Sequence, residues 1–288
     1  MCALRQAEEV LSKTAKFSTD QLESAFAMPT YDVLGLRITA IQIDPLIRHM
    51  QQWIRQRQMG KILIFANVHV VIEAQHDEQF KNIVNDSVGL PDGKPLSWVG
   101  RARGYDLPRR VYGPDLLVDF CQATAFQGYR HFFYGAAPGV PERLAAELLR
   151  RFPGTLVVGC YSPPFRELTR EEDAHTVDMI NNAQPDVLWI GLGCPKQEKW
   201  AHEHRDRLHV PILAAVGQAF DIHAGSARQA PEWMRESGLE WIFRLTHEPR
   251  RLWRRYLVSN SQFIYLLLLE SLGLKRFDSR NLQALGEE

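Results

Sequence analysis

The sequence predicts an α/β protein built on a Rossmann-like, mostly parallel β-sheet with helices on both faces. Short apolar segments of strand length alternate with amphipathic helix patterns about six times between residues 61 and 216. Several of these segments end in turns that combine glycine with polar side chains, as parallel strands often do at their carboxyl ends. We therefore expect one α/β domain over residues 1–227, followed by a helical C-terminal appendage over 228–288.

The first part of the chain predicts a leader, a hairpin and the start of the alternation. Residues 1–30 form a polar leader that we expect to be mobile. Asp44 is a good N-cap and Pro45 a good first helical residue, so a helix is expected to begin there. The predicted elements are a hairpin or edge strands over 31–43, a helix from Asp44 to about Gly60, a strand over 61–66, a helix from Asn67 to about Asn85, and a turn at 91–93.

The alternation continues to residue 216. Thr169 and Glu172 have the spacing of a capping box, in which two side chains bind backbone N–H groups at a helix start. The predicted elements are a helix near 115–126, a strand over 131–134, a glycine turn over 135–139, a helix over about 140–152, a strand over 156–159, a helix over 169–182, a strand over 185–190 with the helix after it, and a strand over 211–216. This order predicts a doubly wound sheet.

The composition changes at residue 228, where tryptophan and arginine become frequent, and the apolar run FIYLLLL follows at 263–269. Arginines beside aromatic side chains suit an anionic membrane surface or a phosphate-bearing lipid. The arginines predicted to bind the acceptor or the membrane are Arg244, Arg250, Arg251, Arg254 and Arg255. The alternative is a helix pair that packs on the main domain and keeps these arginines in solvent.

Composition and spacing argue against several classes of protein. The formal net charge is zero, so no global positive charge favours nucleic acid. The four cysteines have no CxxC spacing, which fits a reducing cytosol and gives no disulfide framework. The N-terminus has no apolar core of signal-peptide length, so we expect the protein to stay inside the cell. Neither HExxH nor Asp-x-Asp occurs, and we predict no metal site.

The most informative turn lies within PDVLWIGLGCPKQEKWA, residues 185–201. A pattern of buried-strand type ends there at Gly191 and Gly193, and Lys196 and Gln197 stand at the start of the next predicted helix. Ligands of open α/β sheets bind beyond the carboxyl ends of the strands, where helix N-termini present N–H groups to anions. The turn therefore predicts a phosphate-bearing substrate.

Seven segments, taken in order, resemble the WecG/TagA/CpsF family of bacterial glycosyltransferases, glycosyltransferase family 26. The resemblance extends from Leu34 to Tyr256, most of the chain. Its segments are ILIFANVHV at 62–70, LPDGKPLSW at 90–98, RVYGPDLL at 110–117, FFYGAAPG at 132–139, IGLGCPKQEKW at 190–200, VGQAFDIHAG at 216–225 and APEWMRESGLEWIFRLTHEPRRLWRRY at 230–256. Each segment alone is a weak signal, but their shared order and spacing are specific.

The resemblance implies that a sugar is transferred with inversion from a uridine-diphosphate (UDP) sugar to a polyprenyl-diphosphate-linked sugar. Such a transfer would be an early step in the synthesis of an exopolysaccharide, capsule or teichoic acid. It implies a location in the cytoplasm, peripheral on the inner face of the cytoplasmic membrane. The partners would be the two substrates and the membrane surface, without nucleic acid, metal or cofactor. Assembly into a homo-oligomer is left open.

The resemblance also implies the catalytic base. Inverting transfer needs a group that removes the proton of the acceptor hydroxyl, and Asp92 stands at the position of the family's proposed catalytic aspartate. The alternative is an ordinary Pro-Asp-Gly turn. Asn67 is expected to hold a sugar hydroxyl or orient the donor, or only to cap the following helix. The family often has threonine at the position of Phe65, and this departure favours a donor other than N-acetylmannosamine.

Three strand ends carry the predicted donor contacts. These candidates are Gly135, Gly139, Lys196, Gln197, Phe220 and Asp221. The two glycines would let backbone N–H groups approach the diphosphate, unless they form a plain turn. The lysine would neutralise phosphate, and the glutamine would pair with a sugar or uracil edge. The Phe-Asp pair would hold uracil and ribose, or else supply a buried ring and a helix cap.

Two other functions compete with glycosyl transfer. A nicotinamide-dependent oxidoreductase would use the same kind of sheet, but no Gly-x-Gly-x-x-Gly turn with a later acidic residue is present. A non-catalytic membrane-binding module would use the appendage alone. That function would leave the polar turns near residues 92, 135 and 197 unexplained.

Overall fold

The computed structural model describes residues 28–279, apart from the side chains of residues 251, 254 and 255. The expected mobility of the leader therefore lies outside the described residues over 1–27. The strands are β1 (Thr30–Val33), β2 (Leu36–Thr39), β3 (Lys61–Ala66), β4 (Val88–Pro91), β5 (Arg130–Gly135), β6 (Leu156–Tyr161), β7 (Val187–Gly191) and β8 (Ile212–Ala215).

Helices separate these strands and continue beyond the last of them. They are α1 (Ile43–Arg55), α2 (Val68–His76), α3 (Glu78–Asn85), α4 (Lys94–Ala102), α5 (Gly113–Thr124), α6 (Val140–Arg151), α7 (Arg170–Ala183), α8 (Lys196–His204), α9 (Ala219–His223), α10 (Glu232–Glu236), α11 (Glu240–His247) and α12 (Pro249–Ser271).

The main sheet has six strands in the order β4-β3-β8-β7-β5-β6, and each neighbouring pair is parallel. The predicted Rossmann-like sheet is therefore confirmed. The first two strands form a separate antiparallel hairpin. Of the two arrangements predicted for this segment, a hairpin or edge strands, the hairpin is the one observed. This hairpin packs against β4 and α3.

Side chains alternate between two cores, one on each face of the sheet. In β3, Ile62 and Ile64 enter one core, whereas Leu63 and Phe65 enter the other. The first core includes residues of α2, α3, α7 and α8, and the second includes residues of α1, α5, α6 and α9. Because helices cover both faces, the strands are mostly apolar.

The start of the first helix differs from the sequence prediction. The first helix begins at Ile43, so Asp44 lies in its first turn and is not the predicted N-cap. Gln42 occupies the cap position without a side-chain hydrogen bond. Asp44 still carries a negative charge near the positive end of the helix dipole, which is favourable.

The single helix predicted from Asn67 to Asn85 is wrong, because the chain forms two helices there. Asp77 has an extended backbone at the break, and its carboxylate accepts a hydrogen bond of 2.9 Å from the backbone N–H of Phe80. The same carboxylate binds Lys199 of α8 at 2.6 Å. Asp77 therefore caps the start of α3 and connects it to α8.

The last four helices follow the final strand of the sheet. The longest, α12, packs against α2 and α11, and its Phe263 is buried in the core that contains α2. Within residues 28–279, the structure has no helix that is long and apolar enough to cross a membrane. The division of the chain at residue 227 stays a prediction.

Candidate active site

A cavity of about 730 Å³ lies at the carboxyl ends of β3 and β4. Residues that follow these strands line it, together with residues of α4, α11 and α12. This is the edge of the sheet where an α/β fold binds ligands. A larger cavity of about 1110 Å³ lies at the amino ends of the same strands, near Lys61 and Val88, and none of the predicted site residues line it. The smaller cavity is therefore the candidate site.

Parallel pairing brings Asn67 and Asp92 together. Ala66 pairs with Pro91 in the register of β3 and β4, so the residues that follow are neighbours. The backbone N–H of Asp92 donates to the carbonyl oxygen of Ala66 at 2.9 Å. A β-carbon at Gly93 would lie only 3.2 Å from the Asn67 Cα, so glycine permits the two turns to approach each other.

Asn67 has the structural role that the sequence offered as one alternative. Its Oδ1 accepts hydrogen bonds from the backbone N–H groups of His69, at 3.0 Å, and Val70, at 3.3 Å. The cap at the start of α2 is therefore confirmed. Because Asn67 also lines the cavity, the predicted contact with a sugar is compatible with capping and stays a prediction.

Asp92 places a second carboxyl group in the cavity, besides that of Glu240. Its Oδ1 has no access to solvent and no hydrogen-bond partner among the residues that the structure describes. Burial raises the pKa of Asp92 to about 7, although Arg110 and Arg244 act in the opposite direction. Such a carboxyl group is about half ionised near neutral pH, which suits general-base catalysis.

A buried ionic network surrounds this carboxyl group. Glu240 forms an ion pair with Arg110. Its Oε1 accepts one hydrogen bond from the Tyr112 hydroxyl at 3.1 Å and another from Nε of Arg244 at 2.9 Å. The Arg110 guanidinium also donates to the carbonyl oxygen of Asp92, at 3.3 Å. Two cations therefore share one glutamate and leave positive charge available to Asp92 or to a phosphate.

The charge of Glu240 follows from the same contacts. Burial favours its neutral form, but Arg244 and Arg110 outweigh burial and lower the pKa of Glu240. The guanidinium of Arg110 also lies 4.0 Å from the centre of the Tyr112 ring, a distance typical of a cation–π contact. The network consequently stays ionised near neutral pH and orients both guanidinium groups.

Two further ion pairs attach α10 to the main body. Lys94, which is buried at the start of α4, binds Glu236 at 2.8 Å. Arg235 binds Asp115, in the first turn of α5, at 3.1 Å. These pairs place the segment that contains Glu240 over the ends of β3 and β4.

The turn at Gly135 is held tightly by the neighbouring strand. Gly135 has a φ of +122°, and a β-carbon there would lie 2.6 Å from the carbonyl group of Gly191. The backbone N–H of Ala136 donates to the same carbonyl oxygen at 2.7 Å. Glycine is therefore required for the close approach of β5 to β7. Gly139 has a φ of +82° at the start of α6, and both predicted diphosphate contacts stay predictions.

The side chain of Gln197 is buried and bonded internally. Its Oε1 accepts from the backbone N–H of Gly193 at 3.1 Å, and its Nε2 donates to the carbonyl oxygen of Ala215 and to Glu198, both at 2.9 Å. The glutamine thereby connects the turn after β7 to the end of β8. Its predicted contact with a sugar or uracil edge is not tested by these bonds and stays a prediction.

The other predicted donor contacts lie outside the 730 Å³ cavity. Lys196 is exposed at the start of α8. Phe220 has no exposed surface and packs edge-on against Phe133, with ring centres 5.7 Å apart. Asp221 follows it in α9 and is half-buried. The predicted contacts of these residues with the donor stay predictions.

The predicted basic residues have different positions. Arg244 lines the cavity, whereas Arg250 is exposed near the start of α12. The predictions for the side chains of Arg251, Arg254 and Arg255 lie outside the described residues. Of all predicted site residues, the described structure brings Asn67, Asp92 and Arg244 together in the cavity.

The sequence interpretation missed four ionic or polar residues of the site: Lys94, Arg110, Tyr112 and Glu240. All four line the cavity and lie within segments already noted for their resemblance to the family, LPDGKPLSW, RVYGPDLL and APEWMRESGLEWIFRLTHEPRRLWRRY. The spacing of Glu240 and Arg244, four residues apart on a helix, was a further signal, because side chains at that spacing are neighbours.

The sheet, the enclosed carboxyl group and the adjoining cations define a Rossmann-like α/β enzyme that is equipped to handle an anionic substrate. The chain belongs to the Glycosyl transferase WecG/TagA/CpsF family, whose model matches residues 31–277, and it is a glycosyltransferase. This membership decides against the oxidoreductase and the non-catalytic module.

The chain is similar to proteins named N-acetylglucosaminyldiphosphoundecaprenol N-acetyl-beta-D-mannosaminyltransferase. The relative from Bacillus spizizenii is 28% identical over 231 residues, covering 80% of this chain and 88% of the relative. The relative from Bacillus subtilis strain 168 is 25% identical over 251 residues, covering 87% and 95%. The relative from Staphylococcus aureus strain MW2 is 23% identical over 225 residues, covering 77% and 87%.

Proposed function

We propose that this glycosyltransferase moves a sugar, with inversion, from a UDP-sugar to a polyprenyl-diphosphate-linked sugar during synthesis of a cell-surface polysaccharide. The names of the relatives support the lipid-linked acceptor. The observation that carries the proposal is the enclosed Asp92 carboxyl group beside Arg110 and Arg244 in one cavity. This arrangement combines a proton acceptor with cations that suit phosphate groups.

Asp92 acts as the general base. Its carboxylate takes the proton of the acceptor hydroxyl while that oxygen forms a bond to the anomeric carbon of the donor. The bond from this carbon to the UDP oxygen breaks, and UDP leaves with the electron pair. A base with a pKa of about 7 is available at neutral pH and is strong enough to assist the transfer.

The protein itself supplies the positive charge for the phosphate groups. Arg110 and Arg244 share the single carboxylate of Glu240, so their guanidinium groups are held in position with charge available for an anion. The sequence also lacks the Asp-x-Asp pair that often holds manganese against a sugar nucleotide. We therefore propose a reaction that needs no metal, with the donor diphosphate near the turns after β5 and β7.

N-acetylmannosamine is the first donor sugar to test, because the three relatives are named for its transfer. The departure at Phe65 no longer argues against it. The Phe65 side chain is 6% exposed, belongs to the core that contains α1 and α5, and does not line the cavity. Its ring packs instead at Gly113, where an added β-carbon would lie 3.4 Å away.

The appendage over 228–288 is proposed to bind the inner face of the cytoplasmic membrane. Arg250 is exposed, and α12 also exposes apolar side chains at Leu257, Ile264 and Leu268. Apolar surface together with basic residues favours an anionic lipid interface. Sedimentation with vesicles of phosphatidylglycerol tests this: the full chain with Arg250→Glu and Leu268→Glu, both at exposed positions, should bind less than wild type, and equal binding would contradict the proposal.

The reaction is tested by measuring UDP release from a panel of UDP-sugars with N-acetylglucosamine diphosphate linked to a polyprenol, without added metal. Wild type should release UDP only when the acceptor is present, and Asp92→Asn should lose about a hundredfold or more of this activity. Failure of the folded wild type to bind or use any UDP-sugar would overturn the proposed function.

A further inference from the structure

The candidate cavity changes from ionic to apolar along its length. The ionic end contains Asp92, Arg110 and Arg244, as described above. The other end is lined by residues of α4 and α12 that offer hydrocarbon surface. These residues are Trp98, Val99, Ala102, Leu257, Ile264 and Leu267. We call this part of the cavity the apolar groove.

Helix α4 gives the groove its direction. Lys94, at the start of the helix, lies beside the ionic end, and Ala102 lies at the end of the helix. With the rise of an α-helix, these residues are roughly 12 Å apart. Arg103 at the end of α4 forms an ion pair of 3.3 Å with Glu270 of α12, so the two helices are also connected beyond the groove.

The groove is open and keeps apolar surface accessible. Trp98 is 48% exposed, Leu257 58% and Ile264 60%. The exposed apolar side chains continue past the groove to Leu268 on α12 and to Leu272 just after it. Contiguous exposed apolar surface beside an enclosed ionic site indicates a ligand with both kinds of surface.

We propose that the apolar groove binds the first isoprene units of the acceptor's polyprenyl chain. This inference rests on the proposed function, because it assigns a site to one part of that acceptor. In the acceptor a sugar hydroxyl, a diphosphate and a hydrocarbon chain follow one another. The cavity offers the same three kinds of surface, a carboxyl group at Asp92, the cations Arg110 and Arg244, and apolar side chains of α4 and α12. The charged part of the cavity matches the diphosphate, and the apolar groove matches a hydrocarbon chain. An isoprenoid therefore fits the groove better than a polar chain would.

The proposal predicts a preference that needs no membrane. Two soluble acceptors are compared, N-acetylglucosamine diphosphate linked to farnesol and the same compound with a methyl group in place of farnesyl. Wild type should show a KM for the farnesyl acceptor at least about tenfold lower, because each buried methylene is worth about fourfold in affinity. Equal KM values for the two acceptors would overturn the proposal.

Ala102→Trp fills the groove from an exposed position, so the fold should tolerate the larger side chain. This variant should lose most of the farnesyl preference, measured as the ratio of the two KM values. Ala123→Trp is the matched control, because Ala123 is exposed on α5 and does not line the cavity. The control should keep the wild-type ratio. Retention of the preference by Ala102→Trp would also contradict the proposal.

Direct binding separates this inference from the proposed function. Isothermal titration measures the affinity of both acceptors for wild type and Ala102→Trp without any reaction. Transfer to both acceptors with no preference in KM or affinity would overturn the groove and leave the function intact. Farnesyl-selective binding that Ala102→Trp abolishes, without transfer from any UDP-sugar, would support the groove and overturn the function.

Discussion

Replacing Asp92 by asparagine should raise the stability of the folded protein relative to wild type, and the gain should be larger at alkaline than at acidic pH. The pKa of Asp92 is raised from an ordinary value of 3.8 to about 7, chiefly by burial. The extra stability from the neutral acid is therefore complete below pH about 4 and is lost as the pH rises through about 7. Each pH unit between these values is worth about 1.4 kcal/mol, so ionisation costs the wild type up to about 4 kcal/mol above pH 7.

The asparagine variant has no such cost, because its amide does not ionise. Between pH 5 and pH 8 the free energy of unfolding of Asp92→Asn should therefore rise by about 3 kcal/mol relative to wild type. Urea denaturation at both pH values measures this change. Asp178→Asn, a substitution of an exposed carboxyl group on α7, is the control and should show a much smaller change. A constant difference between wild type and Asp92→Asn would refute the reasoning.

Two other substitutions test the packing of the site by urea denaturation. Glu240→Gln should destabilise the fold by about 3 kcal/mol, because Arg110 and Arg244 lose their shared anion, and wild-type stability would contradict a structural role for the network. Gly135→Ala should cost at least about 2 kcal/mol more than Gly128→Ala. Both glycines have positive φ, but only the first would meet a neighbouring backbone, and equal losses would contradict a tight β5–β7 contact.

The part of the site that could be predicted from sequence depends on local pattern and sheet geometry. The apolar segment 61–66 forms β3 with the predicted bounds. The pairing of β3 with β4 then brings Asn67 close to Asp92. Parallel strands that share a sheet end at the same edge, so polar residues after two such strands meet. This rule requires no knowledge of side-chain packing.

The part that could not be predicted depends on contacts between distant segments. Arg110 and Glu240 are 130 residues apart, and no local pattern pairs them. Their meeting requires α11 to pack over the strand ends, where the ion pairs of α10 also hold the chain. For Phe220 the sequence left two alternatives open, because an aromatic residue after a strand can face either the core or a ligand.

The dependence of kcat/KM on pH tests the role of Asp92 as base most directly. With the lipid-linked acceptor and a saturating UDP-sugar, wild type should show a rising limb with a midpoint near pH 7, because the base must lose its proton. Asp92→Asn should lose this limb along with about a hundredfold or more of the activity. Wild-type activity with an unchanged limb in Asp92→Asn would contradict the mechanism.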